Sequence, residues 1–246
     1  MLPYRIFYCY FIMSTFKAAG LPLLLLLALS SCSARIEGSV MAGGAAEISI
    51  RTSLEPRTMI LIRSLKGFMG GASDGQILDG QSISRSMALA PGIRSVSLRN
   101  TSPQALEGTI SISHVGNFLS SGEGKFITFT ESTEISSIVV VLDRDSAPEL
   151  ITKLSPEVEE YLSALMAPVV LGERMSKREY LDLVASIYGR PLADEINAAR
   201  ILASIEFPRR LKTVHGGNFT GNRAEFDIPL IDILVLEQPL RYELSW

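Results

Sequence analysis

Residues 135–166 read ISSIVVVLDRDSAPELITKLSPEVEEYLSALM, and the hydrophobic period changes within them. Ile138-Val-Val-Val-Leu142 is an unbroken apolar run, the pattern of a central strand covered on both faces. Beyond Asp143 the spacing becomes helical, with Val158, Leu162, Leu165 and Met166 on one face. Ser155-Pro156-Glu157 supplies an N-cap, a proline at the first helical position and an acid in the first turn. The main helical block therefore begins near residue 145.

Working outward, the upstream pattern has a period of two. Ala46, Ile48, Ile50 and Leu54 alternate with Glu47, Ser49, Arg51 and Ser53, which predicts a half-buried strand. Glu55-Pro56 interrupts it, and Met59–Leu65 reads as the second strand of a hairpin. Lys66–Gly80 holds glycines 67, 70, 71, 75 and 80 and reads as a loop. Gln81–Ala90 predicts a short helix with Ile83 and Met87 inward, stopped by Pro91-Gly92. Strand signals resume at Val96–Leu98, Leu106–Ile112, Phe126–Thr130 and Ile135–Leu142.

Downstream, Ser176-Lys-Arg-Glu179 is a capping box. It opens a helix with Tyr180, Leu181, Val184, Ile187 and Tyr188 expected inward, and Pro191–Ala203 reads as the next helix. Strands return at Ile205–Phe207, Leu211–Val214 and Ala224–Ile228, and a last one carries Leu240, Tyr242, Leu244 and Trp246 on one side. Leu230–Leu236 is too apolar to be exposed. Strands, then helices, then strands predict an α+β fold with an antiparallel sheet of hairpin-connected strands. The helical block, about 145–203, packs on one face, and the last strands return to the sheet. Residues 45–246 form one domain, preceded by a small, Gly-rich flexible tether over 33–44.

The composition narrows the function classes. Lys and Arg number 23 against 26 Asp and Glu, 47% of residues are hydrophobic and 20% charged, too apolar a balance for a disordered chain. No nucleic-acid partner is expected at a net charge of −3, which becomes −5 once residues 1–32, with Arg5 and Lys17, are taken away. The acidity concentrates in the helical block. Glu159 and Glu160 there belong to a solvated outer face or to an acidic surface that docks an envelope protein.

At the N-terminus, Leu21-Pro-Leu-Leu-Leu-Leu-Leu-Ala-Leu29 is far short of the roughly 20 residues that cross a bilayer. With Lys17 before it, the run has the build of a secretory signal over residues 1–31. Met13 offers a start of translation that would make this signal more compact. Leu29-Ser30-Ser31-Cys32 resembles the lipobox of bacterial lipoproteins, an aliphatic residue and two small ones before cysteine. The resemblance implies cleavage between Ser31 and Cys32, with Cys32 acylated and holding the protein to a membrane. Two or three acyl chains anchor firmly where one is marginal. Cys9 is then lost with the signal, and the mature body has no thiol for a disulfide. Ser33 is not the aspartate that retains many lipoproteins at the inner membrane, so the expected location is the cell envelope, facing the periplasm or at the outer membrane.

Chemistry-bearing residues are sparse. His114 and His215 lack the spacing of a metal pair and read as edge or turn residues, so neither a metal nor a cofactor is expected. Gly71-Ala-Ser73-Asp-Gly75 fits the G-x-S-x-G elbow, with His215 in the right chain order for a serine esterase. The pattern around Ser73 is a glycine loop among hairpins, not a buried strand running into a helix.

The stretch FPRRLKTVHGGNFTGNRAEF, residues 207–226, is similar to the end of the LppM-type domain of bacterial envelope lipoproteins. There, too, a proline precedes a strand, a Gly/Asn turn follows, and the next strand carries an aromatic. Arg209 stands where glycine is usual and Phe226 where tryptophan is common. The resemblance implies binding of a lipid. Phe207, Phe226, Tyr242 and Trp246 are then the candidates to line a hydrophobic site, or else they fill the core. The expected function is non-enzymatic: a lipid-anchored protein that binds a hydrophobic ligand or docks an envelope partner.

Overall fold

The computed structural model describes residues 33–68, 79–120, 126–132, 134–151, 159, 162–163 and 165–246. Among them eleven strands form two sheets, and the α+β class holds. The larger sheet runs in the order β3 (Ile93–Ser102), β4 (Ala105–Ile112), β2 (Ala46–Ser53), β1 (Ser33–Val40), β7 (Arg200–Glu206), β10 (Arg223–Pro229) and β9 (Asn218–Thr220). Its neighbours are antiparallel except β1 and β7, which run parallel. The smaller sheet is antiparallel throughout: β5 (Ile127–Glu131), β6 (Ser136–Leu142), β11 (Leu240–Ser245) and β8 (Thr213–His215).

The strand period sets two faces. Gly38, Ile48, Ile110, Ile205 and Ala224 fall in one row across the larger sheet, and the next row carries Glu37, Ser49, Thr109, Ser204 and Glu225. The apolar rows turn toward the smaller sheet. Ile110, Ile112 and Ala46 share a core with Phe129 and Ile138, and Phe226 and Phe207 share one with Leu244 and Trp246. The free edge at β3 is covered by α2 (Gly80–Met87). There the Leu98 N–H donates to the Ser84 hydroxyl at 3.0 Å and the Gly80 N–H to the Asn100 side-chain oxygen at 3.0 Å.

Most helices gather at one end of the sheets. Ser33 is in register with both Ser53 and Arg200, and Arg200 with Pro229. At that end β2 leads into α1 (Pro56–Phe68), α7 (Arg190–Ala198) delivers β7, and β10 leads into α8 (Leu230–Val235). Leu61, Leu192, Ile196, Ile231 and Leu234 make one core with Met166 and Val169 of the segment leading into and forming α5 (Ala167–Val170) and with Tyr180 and Val184 of α6 (Lys177–Tyr188). Ala147 and Ile151 of α4 (Ala147–Ile151) complete it, and Leu142 and Leu240 from the smaller sheet pack against it. The capping box forms as expected, the Ser176 hydroxyl accepting from the Glu179 N–H and the Glu179 carboxylate from the Ser176 N–H. A short helix, α3 (Val115–Ser120), follows β4 at the opposite end.

Several expectations are corrected. Met59–Leu65 is helical, within α1: the four consecutive apolar residues Met59–Ile62 fit either period, and burial of Met59 and Ile62 with Ile60 exposed is the helical choice. The tether expected over 33–44 contains β1, because Ala34, Ile36, Gly38 and Val40 alternate with Arg35, Glu37 and Ser39 and pair on both sides. The helix expected to Ala203 ends at Ala198, and Ala199 turns extended to start β7, so the helical block is shorter than 145–203. There are two sheets rather than one. Of the last strands, β7, β9 and β10 return to the first sheet, whereas the final one pairs with Ser136–Leu142 in the smaller sheet. Ile138–Leu142 is central there, between β5 and β11, yet half-buried instead of covered on both faces. Ile187 and Tyr188, expected inward, are exposed. Residues 155–158 lie outside the described residues.

Candidate functional site

Between the two sheets lies a pocket of about 320 Å³. Gly38 and Val40 of β1, Ile48 of β2 and Ile205 of β7 form one wall, and Ile127, Ile138, Val140 and Leu244 of the smaller sheet form the other. Val115, Phe118 and Leu119 close it from α3. The strand pattern makes the walls apolar, since the contributing strands present their inward rows, Ser39 of β1 excepted. Small inward residues leave the hollow: Gly38 has no side chain, and Ala46, beside Val40, ends at its β-carbon.

Among the described residues around the pocket, Ser39 and Tyr242 alone have a polar side-chain atom. The Tyr242 ring meets Phe226 edge-on, centroids 5.6 Å apart. Burial, and secondarily the negative charge of Asp232, pushes the Tyr242 hydroxyl above its ordinary pKa, so it is neutral at physiological pH. A wall of this kind has nothing to offer a sugar, a peptide backbone or an ion, whose polar groups would lose water without replacement. It can shelter hydrocarbon. The volume lies at the lower end of the roughly 300–1,000 Å³ range of small-molecule sites.

Three of the four aromatic candidates meet at this pocket: Phe207, Phe226 and Tyr242. Trp246 does not line it. Its ring lies 4.7 Å from Phe207 and 6.2 Å from Phe129, and its backbone exchanges hydrogen bonds with Ser136. It is packing behind the wall. The sequence reading missed Gly38, Phe118, Leu119 and Ile127. Alternation over 33–40 was the available signal for Gly38; the six-residue α3 is too short to announce itself by periodicity.

A larger hollow of about 750 Å³ is ringed by charge, including Asp143, Arg144, Asp145 and Glu237. Two arginines line it; Arg174 is exposed, and Arg144 is already engaged. Arg144 donates from Nε to the Leu236 carbonyl at 3.0 Å, from Nη2 to the Val235 carbonyl at 2.9 Å, and from Nη1 to the Glu173 carbonyl. It satisfies carbonyls at the C-terminus of α8, where a cation is favoured. Asp143 accepts from the Ser146 N–H and hydroxyl, each at 2.8 Å, which holds its carboxyl below the usual range. These groups tie the chain together.

The remaining candidates stay apart. His114 Nε2 is 3.8 Å from Glu131, and His114 Nδ1 accepts from the Asn117 N–H at 3.4 Å. His215 ends β8 in the smaller sheet. Among the described residues no three His, Cys, Asp or Glu side chains are grouped to hold a metal. Ser31, Cys32, Ser73 and Glu160 lie outside the described residues or have no described side chain. No helix of the described residues is long and apolar enough to cross a membrane.

No protein-family model and no curated protein matches the chain. Among solved structures it is similar to the folded domain of LppM from Mycobacterium tuberculosis, determined by NMR. That similarity covers 87% of this chain and 88% of that one, at 9% identity and a TM-score of 0.42.

Proposed function

We propose that this chain is a lipid-anchored protein of the bacterial envelope that shelters an acyl chain or similar hydrophobic ligand between its two sheets, and that it is not an enzyme. The observation that carries the reading is the hydrocarbon-walled pocket of about 320 Å³. A water-sized group takes about 30 Å³, and a methylene is of similar size, so the space accepts about ten carbons. Burying each contributes about 0.8 kcal/mol, before the cost of ordering the chain. Phe207, Phe226 and Tyr242 form the aromatic side of the site. Cys32 supplies the anchor, through lipidation of its thiol, cleavage between Ser31 and Cys32, and acylation of the new amino group.

The test uses the mature protein extracted from bacterial membranes. Native mass spectrometry should show a co-purified lipid. A fatty acid brominated along its chain should quench Trp246, the chain's single tryptophan, which packs on the pocket residue Phe207. An empty mass spectrum together with unchanged fluorescence overturns ligand binding. Failure of labelled palmitate to enter the protein overturns the anchor.

A further inference from the structure

Large apolar side chains are exposed together on the helical block. Leu171 is 70% exposed and Ile187 62%, and with the half-exposed Leu183 and Tyr188 they line one shallow groove between α6 and the end of α5, in which the exposed Glu173 is the one acid among the described residues. Ile60, on the neighbouring α1, is 61% exposed. Other exposed large hydrophobics, such as Met41, Leu89 and Phe219, stand on separate elements. Single exposed leucines need no explanation, but a contiguous apolar patch marks a surface with a partner.

The topology says where this patch lies. The helical block packs at the end of the larger sheet that carries Ser33, since Ser53, Arg200 and Pro229 share that register end. Ser33 is already paired in β1, one residue after Cys32. An acyl anchor on Cys32 thus leaves no slack between bilayer and body. Each strand residue advances the chain by about 3.3 Å, so the β9–β10 hairpin at the far end of the sheet stands some 20 Å further out.

We infer that the Leu171, Leu183, Ile187 and Tyr188 face is seated in the membrane interface beside the anchor, its partner being the lipid bilayer itself. This rests on the anchored reading of Cys32. Side chains of this kind insert at the boundary of headgroups and acyl chains, and a tyrosine suits its polar edge. The contact adds to the acyl chains in holding the protein, and it fixes the orientation of the body on the membrane.

The test exploits a mature body without thiols. Full-length chains carrying Leu171→Cys, Ile187→Cys or, at the far hairpin, Thr220→Cys are labelled with a polarity-sensitive fluorophore and placed in phosphatidylethanolamine–phosphatidylglycerol vesicles. Acylation is verified by intact mass. The expected result is a blue shift and severalfold loss of iodide quenching at positions 171 and 187, with position 220 unchanged. Acylated protein whose labels at 171 and 187 quench as freely as at 220 overturns the seated face while leaving the anchor intact. Unacylated protein overturns the anchor and this inference with it.

Discussion

Gly38 stands directly opposite Ile48 in the β1–β2 pair, and a β-carbon built on it would meet the Glu47 carbonyl oxygen at 3.4 Å and, on the pocket side, Ile48 Cγ1 at 3.6 Å and Ile205 Cγ1 at 3.9 Å. These are ordinary contacts, and Gly38, Ile48 and Ile205 all line the pocket. The missing side chain is therefore part of the hollow. Gly38→Val should fill it without strain. We expect loss of most quenching by the brominated fatty acid, with thermal stability unchanged or raised by up to about 1 kcal/mol, because valine favours the strand and restricts the unfolded chain. Unaltered quenching in a folded Gly38→Val protein would move the ligand elsewhere.

Trp246 and Phe207 make the opposite prediction. Both are buried, with rings 4.7 Å apart, and Trp246 also closes the chain by its paired backbone bonds to Ser136. Trp246→Ala should lower the unfolding free energy by about 3–5 kcal/mol, as truncation of a packed aromatic does. Denaturant unfolding followed by far-ultraviolet circular dichroism checks this. A cost below 1 kcal/mol would mean that the ring contributes little packing.

That contrast shows how far the sequence could be read. Alternation alone placed Phe226 and Tyr242 on inward rows, and the capping box at Ser176 and Glu179 was legible to the atom. Local patterns of this kind depend on residues within a few positions of each other. The pairing of β1 with β7 joins Ser33 to Arg200, and nothing in either strand names its partner. The division into two sheets follows from that long-range pairing, and the pocket is the space between them. Small residues also misled: Ala34 and Gly38 read as tether because their weak hydrophobicity hides a period of two. At Met59–Leu65 the apolar run was compatible with strand, and the helix is selected by burial of Leu61 against α7 and α8.

Gly108 marks a close approach between β4 and β3. A β-carbon there would run into the carbonyl oxygen of Ser97, while Leu98 Cα would stand 2.7 Å away, and both are backbone atoms that cannot swing aside. Gly108→Ala should separate the strands locally and lower stability by about 1–3 kcal/mol. Hydrogen exchange at the Leu98 amide, which is held by Ser84 of α2, should accelerate with it. Unchanged exchange would show that the edge relaxes without cost.

Tyr180 gives the fold a dependence on alkaline pH. Its hydroxyl donates to the Leu165 carbonyl at 2.9 Å inside the helical core, and burial, with a smaller contribution from Tyr188, pushes its pKa up to about 12. The unfolded chain gives up this proton near pH 10. Below that value both states hold the proton and the stabilisation is fully present. Between pH 10 and 12 the folded state retains the proton that the unfolded state has lost, so stability falls as pH rises, by a few kcal/mol across the window. Tyr180→Phe keeps the ring and removes the titrating group. At pH 8 it should cost about 1 kcal/mol for the lost hydrogen bond. The difference between wild type and variant should then shrink and reverse as pH climbs toward 12, with lysine titration cancelling because both proteins share it. A difference constant from pH 8 to 12 would show that the hydroxyl titrates as freely in the folded protein as in the unfolded chain.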